Sequence, residues 1–206
     1  MTVDDLRDER LGLVARLRDL PAAQWQAPSL CAGWTVHHVL AHVTGIHLLS
    51  PRALAVTALR ARGVDRTIDA LARRVAAAHP PGELLDVLEA HAASTRRPPG
   101  VPVQGPFTDA VVHGVDVRWA LGDPVADTGA RARLRPVLDF LVGPRAVVGF
   151  VPPRRLRGLR LVADDLDWSH GRGAEVRGPA LALVAGVLGR GPALAQLSGE
   201  GTARLR

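Results

Sequence analysis

The chain has no lysine, no tyrosine and a single cysteine, Cys31. One cysteine excludes an internal disulfide, and a reduced, cytoplasmic protein is the expectation that follows. Without lysine, all 26 basic residues are arginines. They accompany abundant alanine, glycine and proline, all residues with GC-rich codons, so the formal charge of +6 reads first as coding bias. The arginines also alternate with acids, as in "DDLRDERLGLVARLRD", and the densest basic run, "PPRRLRGLR" at 152–160, lies in a proline-rich connector. With no tyrosine and three phenylalanines, stacking platforms for single strands are scarce. Nucleic acid is therefore not an expected partner, since a charge excess alone is unspecific. No run approaches the roughly 18 apolar residues of a spanning helix. The acidic start "MTVDDLRDER" is wrong for a signal peptide. No membrane association is expected.

What is present is enough for a folded core: 206 residues, 47% hydrophobic and 22% charged. Val3, Leu6, Leu11, Val14, Leu17 and Leu20 predict a helix over 3–19, stopped by Pro21. A loop with Pro28 and Gly33 follows. A second helix is predicted from Thr35, an N-cap residue type, to about Leu49, before Pro51. Residues 52–62, 66–78 and 82–96 read as helical, and "RRPPGVPVQGP" (96–106) as a long loop. Helix resumes at Thr108, a second candidate cap, and runs to Leu121. "GDPVADTG" breaks it, and 128–142 is helical again. Beyond Gly143 the texture changes. Short alternating pieces after Leu159 predict a hairpin turning at His170–Gly173. "GPALALVAGVLGRG" predicts a buried helix opened by Pro179, and "GTARLR" a last strand. The expected fold is mainly α: a helical bundle over 1–143, then a small α+β domain over 150–206.

Half of the eight histidines fall in one short stretch: His37, His38, His42 and His47. His42 lies in the apolar stripe of Val39, Leu40, Val43 and Ile46, where a histidine is commonly a hydrogen-bonded core residue. Further on, "FTDAVVHGVDVRWALG" places Asp109 and His113 four apart, on one helix face. That is the spacing with which bundle helices aim two ligands at one ion. It also suits a simple acid–histidine contact, or an Asp109 that favours the positive end of the helix. Together with His42 from a neighbouring helix, the pair makes a three-ligand set of the kind zinc uses when a fourth position stays open. Asp116, three residues past His113, is placed either to orient the imidazole or to cap a different contact.

"LCAGWTVHHVLAHV" resembles a segment of the DinB-like four-helix bundles, and more specifically of the actinobacterial mycothiol-dependent maleylpyruvate isomerase family. "DAVVHGVDVRWALGDP" is similar to that family's acid–x–x–x–His–x–x–Asp helix. The stretch from Leu159 to Arg206 resembles its C-terminal domain, through "DLDWSHG", "VRGP" and the late "GR". The likeness is weakest over 51–106. It implies a DinB-like bundle holding a divalent metal, most commonly zinc, on His42, Asp109 and His113. The family's acid is typically Glu, so Asp109 is one methylene shorter. Where the family usually has an acid, this chain has His38: a fourth ligand, a general base, or an incidental, partly exposed side chain a turn from His42. The resemblance also implies a catalytic, substrate-binding arginine at Arg190, which otherwise reads as a cation at a helix end. Cys31 is expected to be a small buried residue. The implied activity is that of a metal- and mycothiol-dependent enzyme. It is either a cis–trans isomerase or a thiol S-transferase, acting on a small electrophile as a monomer or homodimer. A non-catalytic metal- or ligand-binding bundle is the competing expectation.

Overall fold

The computed structural model describes residues 2–98, 100–123, 131–147 and 150–205. The chain divides into two units, Met1–Asp123 and Pro124–Arg206.

The first unit is helical. Helix α1 (Val3–Leu17) opens with a capping box: the Thr2 N–H donates to Asp5 at 2.7 Å and the Asp5 N–H to Thr2 at 3.1 Å. A short 3-10 turn follows, and then α2 (Val36–Leu48), which starts from Thr35 as the sequence predicts. Helices α3 (Pro51–Ala61), α4 (Val64–Ala78), α5 (Pro81–Ala90) and α6 (Gly105–Ala120) complete the unit. α1 packs on α5 and α6, and α2 packs on the same two, so these four close a ring; α4 lies against α2, and α3 against α4. The core inside is aliphatic: Leu13 and Leu17 from α1, Val36, Val39 and Leu40 from α2, Leu84 and Leu88 from α5, and Val117 from α6.

Two helix ends differ from the sequence expectation. The helix predicted over 82–96 stops at Ala90. The buried Arg10 explains the stop: its Nη1 donates to the carbonyls of His91, Ala92 and Ser94 at 3.1, 3.2 and 2.7 Å. A side chain from another helix thus satisfies carbonyls that further helix would have used. α6 begins at Gly105 rather than Thr108, with Pro106 in its first turn, where a missing N–H costs nothing. Thr108 is buried inside the helix, and Asp109 lies beyond the first turn. The reading of Asp109 as a dipole partner is thereby removed.

In the second unit, α7 (Arg131–Leu141) packs on α8 (Ala180–Val187). The bundle expected to extend to 143 included this helix. Its buried stripe of Leu134, Val137, Leu138 and Leu141 instead belongs with α8 in the second unit. The break expected over "GDPVADTG" lies mostly outside the described residues. Strands β1 (Leu159–Ala163), β2 (Ser169–Gly171) and β3 (Ala174–Gly178) form a sheet of order β2-β1-β3, β1 pairing antiparallel with β2 and parallel with β3. The hairpin is present, but its turn lies between β1 and β2, not at 170–173. Those residues carry the chain around the end of β1 to its other side. Only glycine fits there: Gly171 and Gly173 have φ +84° and +125°, and a Cβ would stand 2.3 and 2.2 Å from the carbonyl oxygens of Leu159 and Gly158. The last strand is also a correction. Thr202–Leu205 is a 3-10 turn that buries Leu205, and the strand-like pairing occurs earlier, between Ser198 and Arg177.

Gly173→Ala should destabilise the protein by about 2 kcal/mol or more, since the new methyl meets backbone that cannot move aside alone. Urea denaturation against wild type measures it; an unchanged midpoint would mean the crossover is not held as described.

Candidate metal centre

The four clustered histidines of α2 separate into four environments. His37 donates from Nε2 to the carbonyl of His79 at 3.0 Å. His38 stands at the third position of α2, where its Nδ1 accepts the backbone N–H of Thr35 at 3.2 Å. It fills the place that Glu or Gln takes in a capping box. Burial, and then the nearby Arg73, pulls its pKa below the ordinary imidazole value, which suits a ring acting as acceptor. His47 stacks on His91 with ring centroids 4.4 Å apart and planes 8° apart, and its Nε2 is buried with no hydrogen-bond partner. His42 is the one directed at α6.

There, Asp109 stands between two imidazoles. Its Oδ1 is 3.3 Å from His42 Nε2 and 3.4 Å from His113 Nε2, and the two rings meet edge to face at 4.8 Å. Burial pushes the Asp109 carboxyl up, but the two neighbouring imidazoles outweigh it and hold the group well below the usual carboxylate range. Burial likewise works against a charged His113, yet Asp109 and the groups around it raise its pKa well above the ordinary value.

The far side of His113 is different. Its Nδ1 lies 3.0 Å from Asp116 Oδ2, and the Cys31 thiol donates to that same oxygen at 2.9 Å. Cys31 Sγ is 3.7 Å from His113 Nδ1. Two donor sets thus share one histidine: His42, Asp109 and His113 on one side, Cys31, His113 and Asp116 on the other. Distance separates them. Bonds of about 2.0–2.1 Å at tetrahedral angles put zinc ligands about 3.3–3.4 Å apart. In the first set, both separations through Asp109 have those lengths. In the second, the two contacts to Asp116 are 2.9 and 3.0 Å, the lengths of hydrogen bonds, and Cys31 Sγ stands 3.7 Å from His113 Nδ1. Exposure separates them too: the side chain of Asp109 is 31% exposed and that of Asp116 1%. The residues of the first set fit a divalent cation reached from solvent, and Asp116 fits the group that orients one of its ligands.

The loop before α2 walls the pair of imidazoles. The Trp34 ring lies 5.2 Å from that of His42 and 6.3 Å from that of His113. It is fixed from α4: Trp34 Nε1 donates to Asp69 at 2.8 Å, and Arg73, paired with Asp69, donates to the Gly33 carbonyl at 2.9 Å. The sequence singled out His42, Asp109 and His113, which the fold brings together, and His38, which belongs to neither set. Arg190, in the second unit, precedes a 3-10 turn and donates to the Leu188 carbonyl at 3.2 Å. Trp34 and the bonding role of Cys31 were missed. Their only signal is the position of "LCAGW" directly before a helix cap.

Residues 6–106 match the family described as mycothiol maleylpyruvate isomerase N-terminal domain. Among solved structures, the chain is similar to a crystal structure of the mycothiol-dependent maleylpyruvate isomerase. Identity is 18% and the TM-score 0.55, covering 98% of this chain and 96% of that one. A histidine-to-alanine mutant of that name gives 17% identity and a TM-score of 0.56 over the same shares. At these identities the likeness is one of fold. No curated protein sequence matches the chain. No helix among the described residues is long and apolar enough to cross a membrane.

Burial, then the cationic surroundings of His91, Arg10 and Arg96, lowers the pKa of His47 to about 4. A histidine held neutral in the native state adds stability that is complete above its unfolded pKa of about 6.5 and is lost as pH falls toward the native value. Wild type should therefore lose thermal stability between pH 6.5 and 4 more steeply than His47→Gln. Parallel Tm profiles for the two would show that the stacked pair contributes nothing to the acid response.

Proposed function

We propose that this chain, which through residues 6–106 belongs to the mycothiol maleylpyruvate isomerase N-terminal domain family, is an enzyme dependent on a divalent metal and on mycothiol. Its reaction is a maleylpyruvate isomerase-like cis–trans isomerisation or the related thiol S-transfer. The observation that carries the reading is the convergence of His42 Nε2 and His113 Nε2 on Asp109 Oδ1, at 3.3 and 3.4 Å, on the more exposed side of His113.

In this reading His42, Asp109 and His113 hold the cation, zinc being the expected one, with His38 kept to its capping bond. The cation supplies Lewis acidity, favouring the thiolate of a ligand whose free pKa is near 8.5. With the cation held, His113 would give its Nδ1–H to Asp116 and offer Nε2 as the ligand atom. The Trp34 ring lies beside both imidazoles. Asp109 supplies the one negative charge of the set. In isomerisation, the thiol sulfur adds to one carbon of the activated cis double bond. Rotation about the resulting single bond and elimination return the trans alkene and the thiol, with no net redox change. S-transfer stops after the addition, the neighbouring carbon taking up the proton that the thiol gave up. Arg190 is assigned to substrate carboxylates, for which its planar fork is suited. The partners are a small electrophile and the thiol.

Turnover of a maleyl-type substrate, followed by the loss of its absorbance, should require both added mycothiol and bound metal. Binding without turnover across a panel of such electrophiles would leave a non-catalytic module instead.

His42→Ala and His113→Ala should each abolish zinc retention, and His47→Ala should leave it intact. Elemental analysis of the purified variants decides this; equal metal in all three refutes the ligand assignment. Arg190→Gln should keep its zinc and raise KM for carboxylate substrates, and loss of zinc in that variant would contradict its assignment.

A further inference from the structure

We propose that Arg10 and His47 form a carboxylate-binding subsite at the end of α5, and that it takes a carboxylate of the substrate. The subsite stands on its own residues; its assignment to the substrate rests on the function proposed above.

Arg10 is the starting point. It lies on α1 and is 5% exposed. A guanidinium does not shed its proton, so a buried one needs its charge met in place. Here it is met only in part. Nη1 alone takes the carbonyls of His91, Ala92 and Ser94. Among the described residues, no carboxylate stands within ion-pair distance of Arg10, and its Nε and Nη2 have no hydrogen-bond partner, yet neither atom is sealed from solvent. These two nitrogens are the side-on edge of the fork, which the two oxygens of a carboxylate match in parallel. Asp109 is the acid whose charge reaches Arg10, and in the reading above that charge is committed to the cation.

A second deficit adjoins the first. His47, on α2, has its Nε2 buried without a partner. Such a nitrogen is costly, and native structures keep few of them. His91 joins the two residues: its carbonyl accepts from Arg10 at 3.1 Å, and its ring lies flat against that of His47, centroids 4.4 Å apart. The charges of Arg10 and Arg96 are both felt at His47 and favour its neutral form. A neutral imidazole offers an N–H to an acceptor without adding a charge.

Charge and shape select the ligand. One buried positive charge, a side-on fork and a single N–H suit one carboxylate, with the rest of its molecule outside. A compact dianion such as sulfate would bring a second charge into the same dry place, where nothing matches it. Access is from the C-terminal end of α5, where His91 is the exposed capping residue and Arg96 is exposed beyond it. Arg10 pins the backbone of His91, so only the ring need turn for an oxygen to reach His47 Nε2. Arg96 adds positive charge at that mouth.

Maleate is the probe, titrated by calorimetry into the full chain after passage over a chelating resin, so that neither metal nor thiol contributes. Wild type should bind it saturably, and sulfate should compete at least about tenfold less well. Arg10→Met and His47→Leu should each weaken maleate about 10- to 100-fold, the scale of hydrogen bonds to a charged group. His47→Gln, which keeps an N–H donor, should stay within about fivefold of wild type. Should Arg10→Met fail to fold, because Arg10 also holds three carbonyls, Arg10→Lys takes its place: it keeps the charge, loses the fork, and should weaken maleate at least about tenfold. Absence of saturable binding overturns the subsite. So does a His47→Leu protein that binds like wild type, and so does sulfate matching maleate, which would mark a site for any anion. Maleate binding with the expected pattern, in a chain that turns over no maleyl-type substrate, supports the subsite and removes the activity reading instead.

Discussion

The centre depends on one carboxylate oxygen placed between two imidazole nitrogens. Asp109 Oδ1 is within 3.4 Å of both His42 Nε2 and His113 Nε2, and nothing else in the first unit ties α2 to α6 through polar groups at that depth among the hydrogen bonds described. A bundle built for stability alone would fill those positions with aliphatic side chains, because exchanging a buried polar cluster for well-packed apolar residues is often neutral or favourable. The surrounding ring of Leu, Val and Ala is of that conventional kind. One departure from it occurs where α2 faces α6, and a local break with packing logic is expected at a functional site.

Polarity changes steeply across a single ring. On one edge of His113, Asp109 meets solvent; on the other, Asp116 does not. The imidazole therefore spans a wet side and a dry side, with different demands. The wet side has separations suited to coordination and the dry side has lengths suited to hydrogen bonds. Three acids and thiols thus crowd around two imidazoles on two different sides of His113. The division also explains why the braced loop from Ser29 to Trp34 contributes twice, with a donor on the dry side and an aromatic wall across both rings.

What could be read from the sequence follows from which interactions are local. Thr35 as a cap, the proline stops and the shared face of Asp109 and His113 depend on neighbours within a turn, and they stand in the structure. The start of α6 was misplaced although Pro106 marked it, because a threonine three residues on offered an equally familiar signal. The end of α5 was misplaced because its terminator, Arg10, comes from another helix. The crossover at Gly171 and Gly173 was mistaken for a hairpin turn, since both use glycines at positive φ and only the pairing partner differs. Cys31 was legible as a small buried residue, but its bond to Asp116 spans 85 positions and leaves no local trace.

The histidine cluster shows why residue counting misleads. His37, His38, His42 and His47 share a helix of thirteen residues, yet each is decided by its angle around the axis and by what stands opposite. At about 100° per residue, His37 and His38 already face different elements: one meets the carbonyl of His79, the other turns back to cap its own helix. His47, five residues beyond His42, faces His91 and is kept neutral by burial and cationic neighbours. A ligand needs a free ring nitrogen, an anionic neighbour and an opposing donor at coordination distance. Of the four, only His42 meets all three conditions among the described residues. Enrichment in histidine is therefore the weaker signal, and the Asp109–His113 pair on the facing helix is what selects which member of the cluster joins a candidate donor set.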